Sequence, residues 1–422
     1  MSLYGQLLPA VPLRFNSANR GAVQAVALRG MRQFGPYDMT TFPKRQLTCG
    51  LLYPAAARGM RDALVNGLQH GEGSGFPGFS QLFRVDLTFD SAHEEVIRGL
   101  EDKQEYQRAA SRLARANCDL VFIVGIRPDS GIYQACKETL LLNGVPCQVL
   151  ATKRFNYPNQ RPWILGNLSL ASYAKVGGTP WVVADPQARR ELVMGVSRAK
   201  DAENRYVVGF VTLFNQDGDF LFLNAQTPVV EWSDYLGNLE RMVVEAYHDY
   251  QQGFGAPESL VVHFHKRPGE GEVEAVEQAL RNLGVAIPFA LLHLNEYSLF
   301  RAFDTAHSTY VPPTGLQVDL SRRRALLLLD GLEQGKRNRR GVPNVWDVSM
   351  DRRSTLEVEE FPRLVQQIQR FARVNWRGFN ARSTPVTMNY AKLICDLVLE
   401  IGLGSWSNII TNGRLRDKAW FL

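Results

Sequence analysis

Between residues 46 and 151, short apolar β-rich runs alternate with amphipathic stretches at helical spacing. No other feature constrains the fold as strongly. Strand–helix–strand crossovers force neighbouring strands to run parallel and cover both faces of the sheet. Gln46 to Tyr53 reads as a strand and Ala55 to Gln69 as a helix. Leu82 to Phe89 reads as a strand, and Ala92 to Ala116 as a long charged helix. Leu120 to Gly125 is a continuous apolar strand, Gly131 to Leu142 a helix, and Val145 to Ala151 a strand. The pattern predicts a Rossmann-like α/β domain.

The second half has a different order. Leu192 to Val196 is a short strand, and Tyr206 to Phe214 and Asp219 to Asn224 flank Asn215-Gln216-Asp217-Gly218, a hairpin signal. A helix from Ser233 to Gln251, strand Leu260 to His265, helix Val273 to Leu283 and strand Phe289 to Leu294 follow. Three antiparallel strands, then helix, strand, helix, strand is the order of an RNase H-like fold. The junction falls near Lys175-Val176-Gly177-Gly178-Thr179-Pro180-Trp181. The expected division is an extension over 1–37, a first domain over 38–175 and a second over 176–422.

RNase H-type nucleases hold two divalent cations with carboxylates, because the two metals clamp the attacking and leaving oxygens. Here Ser197 stands where the first strand should carry an aspartate, and His263-Phe264-His265-Lys266 ends the fourth strand without a carboxylate. Lys392 occupies the late ligand position, and Glu240 or Glu245 cannot hold two metals alone. An ammonium group in such a site repels Mg²⁺. The chain is therefore expected not to be an enzyme. His263 and His265 share a strand face, but no further Cys or His lies at zinc-ligand spacing.

In the first half, Leu120 to Gly125 runs into Ile126-Arg127-Pro128-Asp129-Ser130-Gly131, where a helix begins. A helix N-terminus beyond a strand is a natural anion cradle. Tyr133 and Lys137 lie four apart on that helix, suited to stacking on a base and pairing a phosphate. Two ordinary surface residues would give the same spacing. The loop lacks GxGxxG, which argues against a nicotinamide dinucleotide.

The formal net charge is +6, and its location matters more than its size. From Phe361 to Leu422 there are nine basic residues (Arg363, Arg370, Arg373, Arg377, Arg382, Lys392, Arg414, Arg416, Lys418) and three acids (Asp396, Glu400, Asp417), so this stretch carries the whole excess. Arg322-Arg323-Arg324 and Lys336, Arg337, Arg339 and Arg340 form a second cluster. Localised positive charge suits a polyanion partner or a solvated face. No apolar run reaches the ~18 residues of a membrane span, and no signal peptide is read at the N-terminus. Five cysteines without metal spacing suit the reduced thiols of a cytoplasmic protein.

Several segments, in order, resemble the short prokaryotic Argonautes, which consist of a Rossmann-like MID domain and an RNase H-like PIWI domain. Phe34-Gly35-Pro36-Tyr37-Asp38 resembles the start of MID. Tyr133-x3-Lys137 with Gly144-Val145-Pro146-Cys147-Gln148 resembles the guide 5′-phosphate motif. Asn167-Leu168 and the segment Lys175 to Trp181 are similar to the opening of PIWI. Leu292-His293-Leu294-Asn295-Glu296, Asn375-Trp376-Arg377-Gly378-Phe379 and Ala419-Trp420-Phe421-Leu422 also match.

The resemblance implies specific roles. Tyr133 would stack on the first guide base, and Lys137, Gln148 and Lys175 would hold the 5′-phosphate. The Leu422 carboxylate would bind a Mg²⁺ bridging guide phosphates, although Ala171 stands where some relatives place a metal-ligating Gln. Arg377 and Arg382 would contact the guide backbone. Such proteins load a guide RNA, recognise complementary plasmid or phage DNA and activate a separate APAZ-containing effector, a sirtuin-like or TIR NADase or a nuclease, as a heterodimer. The alternatives are a divergent nuclease with its own guided cleavage, and an RNA-binding scaffold without guide loading.

Overall fold

The computed structural model describes residues 4–98, 102–128, 130–184, 189–200, 206–208, 211–214, 220–224, 232–332, 341–381, 383–416 and 418–422. The chain forms two compact units, each assembled from non-contiguous segments. One comprises 13–182, 376–380 and 396–422; the other comprises 1–12, 183–375 and 381–395.

In the first unit a four-stranded sheet runs in the order Asp86–Ile97, Gln46–Pro54, Leu120–Val124, Cys147–Leu150, with every pairing parallel. Leu120–Val124 is buried at all five positions, as a strand covered on both faces must be. Tyr106, Ala109, Ala110 and Leu113 of the Lys103–Arg115 helix pack with Tyr133, Cys136 and Leu140 of the Gly131–Leu142 helix against Val121 and Ile123. Each fully buried aliphatic side chain contributes about 1.5–3 kcal/mol. The Asp102 carboxylate caps the Lys103–Arg115 helix by accepting from the backbone N–H groups of Gln104 and Glu105.

One helix expected from the sequence is mostly absent at its start. Residues 92–97 continue the strand Asp86–Ile97, and the helix begins only at Lys103. Phe79–Phe83 is a short helix, so Leu82 and Phe83 do not belong to the strand. Tertiary partners override the helical pattern. Past an irregularity near Cys49 to Leu51, Glu94 to Ile97 align with Leu51 to Pro54. Glu94 then accepts from Tyr53 Oη and Arg61, and Glu95 takes a bidentate fork from Arg112.

The second unit carries nine described strands in one sheet. Their order is Tyr4–Leu7, Leu316–Ser321, Arg324–Leu327, Trp346–Met350, Phe289–Asn295, Ser259–Phe264, Glu191–Val196, Val211–Phe214, Phe220–Asn224. Ser259–Phe264 runs parallel to both neighbours, and Val211–Phe214 and Phe220–Asn224 pair antiparallel. The expected RNase H-like order is present, with helices Trp232–Phe254 and Glu270–Asn282 as the connections. The turn at 215–218 lies outside the described residues, as do Asp129, Lys336, Arg337, Arg339, Arg340, Arg382 and Asp417. Glu191, fully buried at the start of its strand, accepts from Arg363, Gln367 and Ser259. Removing Arg363 would leave a buried carboxylate short of its counter-ion, a loss of about 3–5 kcal/mol.

All five cysteines are buried, and none forms a disulfide among the described residues. Among the described residues no helix is long and apolar enough to cross a membrane.

Candidate functional site

In the first unit the strand Leu120–Val124 ends at Gly125. Its φ is +77°, and a Cβ added there would lie 2.5 Å from Ala57, so no side chain has a place. The chain then turns into the Gly131–Leu142 helix. Ser130 caps it, its hydroxyl accepting from the Tyr133 N–H at 3.2 Å. Tyr133 and Lys137 share a face as the spacing predicted, with the Lys137 ammonium 5.4 Å from the centre of the Tyr133 ring. Tyr133 is nevertheless buried, so its ring would have to be uncovered before a base could stack on it.

Lys175 ends the Arg161–Lys175 helix and is 4% exposed. Its ammonium donates to the Cys147 carbonyl at 2.7 Å and has no further hydrogen-bond partner among the described residues. Burial pulls its pKa down to about 7, and the charges of Lys137 and Arg377 push the same way. Gln148, next along the strand from Cys147, donates Nε2 to the Val149 carbonyl, while its Oε1 is buried without a partner. Lys137 is held by Glu400 at 3.3 Å. Tyr133 and Lys137 are thus in contact, and Lys137 and Arg377 lie close enough to Lys175 for their charges to be felt.

The segment Lys175 to Trp181 has a structural role that spacing did not reveal. Gly178 lies against the Tyr173 ring, where a Cβ would come within 2.3 Å. The Asp38 carboxylate accepts from Tyr173 Oη at 2.6 Å and from the Thr179 N–H at 2.8 Å. Burial raises the Asp38 pKa to about 6 despite both bonds. Trp181 stacks on Phe379 at 5.8 Å, and its carbonyl accepts from Trp376 Nε1. These contacts clamp the end of the helix that carries Lys175.

The 396–422 segment packs beside this site. Asn412 donates to the Leu142 carbonyl, and Ser405 donates to Glu138 on the Gly131–Leu142 helix. Trp420 and Phe421 are buried and Leu422 is half-buried. Glu400 is the residue that sequence reasoning missed. Its only signal was its position as one of three acids in a strongly basic stretch.

The arrangement suits an anion better than a cation. Gln148 Oε1 is a buried oxygen without a partner, and Ala171 is buried and apolar. Mg²⁺ requires about six oxygens, and two ammonium groups adjoin. These residues do not by themselves fit a divalent cation.

In the second unit, the strand ends carry few acids. Gly195 approaches the Thr387 backbone so closely that a Cβ would lie 2.0 Å from its carbonyl oxygen. Ser197 is buried. His263 is fully buried, its Nδ1 2.9 Å from Thr387 Oγ1 and its Nε2 without a partner, and burial pulls its pKa down to about 3. His265 is lowered by desolvation and by Lys392 and Lys266, with Glu296 opposing. Glu240 accepts from Asn282. Among the described residues no group of three or more His, Cys, Asp or Glu could hold a metal.

Comparison with known proteins agrees with this architecture. The Piwi domain family matches residues 119–319. The Argonaute protein of Cereibacter sphaeroides is 25% identical over 464 aligned residues, covering 99% of this chain and 59% of the relative. A Piwi protein of Archaeoglobus fulgidus is 25% identical over 422, covering 94% of this chain and 93% of the relative. Among solved structures, Clostridium butyricum Argonaute bound to a guide DNA and a 19-mer target DNA aligns with a TM-score of 0.74 at 16% identity, over 96% of this chain and 54% of that one. The chain therefore spans just over half of two of these relatives and nearly all of the third.

Proposed function

We propose that this chain, which carries a Piwi domain and is a homologue of Argonaute and Piwi proteins, binds a guide nucleic acid by its 5′ end and uses the guide to recognise a complementary strand. The observation that supports the reading is the buried Lys175 ammonium on the Cys147 carbonyl, close enough to Lys137 and Arg377 to feel their charges and next in the chain to Gln148, whose Oε1 is buried without a partner. A terminal phosphate would meet two ammonium groups there, and its negative charge would compensate the buried Lys175. Base pairing then reads sequence, while the protein holds backbone and shape. The C. butyricum Argonaute holds both a guide and a target DNA, which supports the same division of labour here. RNA is the proposed guide and DNA the proposed target.

Recognition without cleavage is part of the proposal. Ser197, His263 and Lys392 occupy positions where two-metal chemistry needs carboxylates. The output is then supplied by an APAZ-containing effector in a heterodimer, as in the short prokaryotic Argonautes the sequence resembles, serving defence against plasmid or phage DNA in the cytoplasm. Arg377 contributes guide-backbone contact; Arg382, assigned the same role, lies outside the described residues.

The decisive experiment is competition between 5′-phosphorylated and 5′-hydroxyl guides on the purified chain, followed by incubation with a complementary target and Mg²⁺ or Mn²⁺. The expected result is a strong phosphate preference and an intact target. Equal binding of both guides would remove the pocket assignment, and guided cutting would replace the reading with a divergent nuclease.

A further inference from the structure

The second unit contains a strongly basic cleft that the guide-binding reading does not use. Its volume is about 510 Å³, and its lining includes Arg267, Arg323, Arg324, Arg352, His293 and Ser349. The sheet register explains why they meet. Phe264 aligns with His293, His293 with Ser349, and Ser349 with Arg324, so these residues form one row on one face. Side chains alternate along a strand, so this face is opposite to the one on which His263 meets Thr387. Arg267 enters from the turn before the Glu270–Asn282 helix, and Arg323 from the hairpin between Leu316–Ser321 and Arg324–Leu327.

The charges are unevenly compensated. Arg324 is neutralised by a bidentate pair with Asp347 at 2.9 and 2.6 Å. The lining residue Asp351 is itself taken by Arg353. Arg322 reaches Glu359 at 3.2 Å. Arg267, Arg323 and Arg352 make no close ion pair among the described residues; Arg323 donates to the Asp351 carbonyl at 3.4 Å, and Arg267 acts on the Asp351 carboxylate through its charge alone. Three guanidinium groups from three separate segments therefore line one volume whose one lining carboxylate, Asp351, is already bonded to Arg353.

We propose that this cleft is a binding site for a compact oligophosphate, of the class of pyrophosphate or the polyphosphate of a nucleoside di- or triphosphate. Guanidinium forks match phosphate oxygens in pairs, and the Ser349 hydroxyl adds a neutral donor. The cleft falls within the ~300–1,000 Å³ of small-molecule sites. A nucleic-acid strand spreads its charges along its length, one per ~3.4 Å of helix axis per strand, whereas these cations converge.

The test is equilibrium binding of inorganic pyrophosphate and of ATP to the full chain at low salt, in wild type and in the Arg267→Ala/Arg352→Ala double variant. Both residues are exposed, and circular dichroism and a melting curve confirm that the variant folds. The expected result is saturable binding of both probes, mutual competition, and at least a tenfold loss in the double variant with guide binding unchanged. ATP binding appreciably tighter than pyrophosphate assigns the base or sugar a contact; equal binding assigns recognition to the phosphates alone. The proposal is overturned if neither probe saturates or if the double variant binds as wild type does. It is likewise overturned if an oligonucleotide without terminal phosphates displaces both probes, which would make the cleft a backbone track.

Discussion

Beside the parallel strand Cys147–Leu150 in the first unit, and on the parallel strands Glu191–Val196 and Ser259–Phe264 in the second, the two units set polar residues, yet fill the two places oppositely. The first sets Lys175, almost wholly desolvated, near the charges of Lys137 and Arg377. The second closes up: Gly195 admits no side chain against Thr387, and His263 is neutral and buried. A buried cation with a single carbonyl partner is unfavourable unless a counter-charge offsets it. A buried neutral imidazole on a threonine hydroxyl needs nothing from outside. The difference separates a place waiting for a ligand from a place built into the core.

The largest effect that would break this contrast is at the lysines. Each charge-assisted hydrogen bond is worth roughly 1.5–3 kcal/mol, so Lys137→Ala or Lys175→Met should reduce the preference for a 5′-phosphorylated guide about tenfold to a hundredfold. The two changes share one ligand group and should not add. Competition binding measures this, and a double variant that keeps its phosphate preference would place the pocket elsewhere.

A smaller effect comes from pH. The folded pKa of Lys175, about 7, lies below its ordinary 10.5. Between these values the unfolded chain binds more protons, so the empty protein should gain stability as pH rises from 7 toward 10. A bound phosphate restores the charge, so guide binding takes up a proton above pH 7. Affinity for the phosphorylated guide should fall by up to about tenfold per pH unit from 7 to 9, and Lys175→Arg should abolish the slope. A flat profile in wild type would contradict the buried-cation account.

Arg377→Ala should act more weakly, lowering affinity a few-fold for all guide sequences alike. The log–log salt slope should shrink by ~0.7–0.9 for each phosphate that the variant no longer neutralises. Sequence-dependent weakening in a panel of guides would argue against a backbone role. The smallest expected change is none: Ser197→Asp should leave a paired target uncut with Mg²⁺ or Mn²⁺, because Lys266 and Lys392 still act on the neighbouring His265. Cleavage by that single variant would erase the contrast between the two places.

The parallel sheet and the RNase H-like order were legible because apolar runs such as Leu120–Val124 are buried on both faces and announce themselves. The strand at 92–97 was not, since Glu94 and Glu95 look like helix surface until Arg61 and Arg112 are in place. For the candidate site, the Tyr133 and Lys137 pair followed from helix periodicity. Burial of Lys175 did not, because it depends on Asp38 and Trp181 securing the helix end from distant points in the chain. Arg322 to Arg324 were visible as a charge run; their convergence with Arg267 and Arg352 required the strand register.

The ion pair between Lys137 and Glu400 has a consequence for selectivity. In the empty chain a resident carboxylate already stands beside one of the two ammonium groups. An incoming strand end is thus not filling a vacancy but evicting a tenant. On the proposed reading, a hydroxyl end would carry too little charge to displace a carboxylate, whereas a phosphate dianion would drive it out. Discrimination would then begin at a threshold, before affinity is weighed, and Glu400 would set its height.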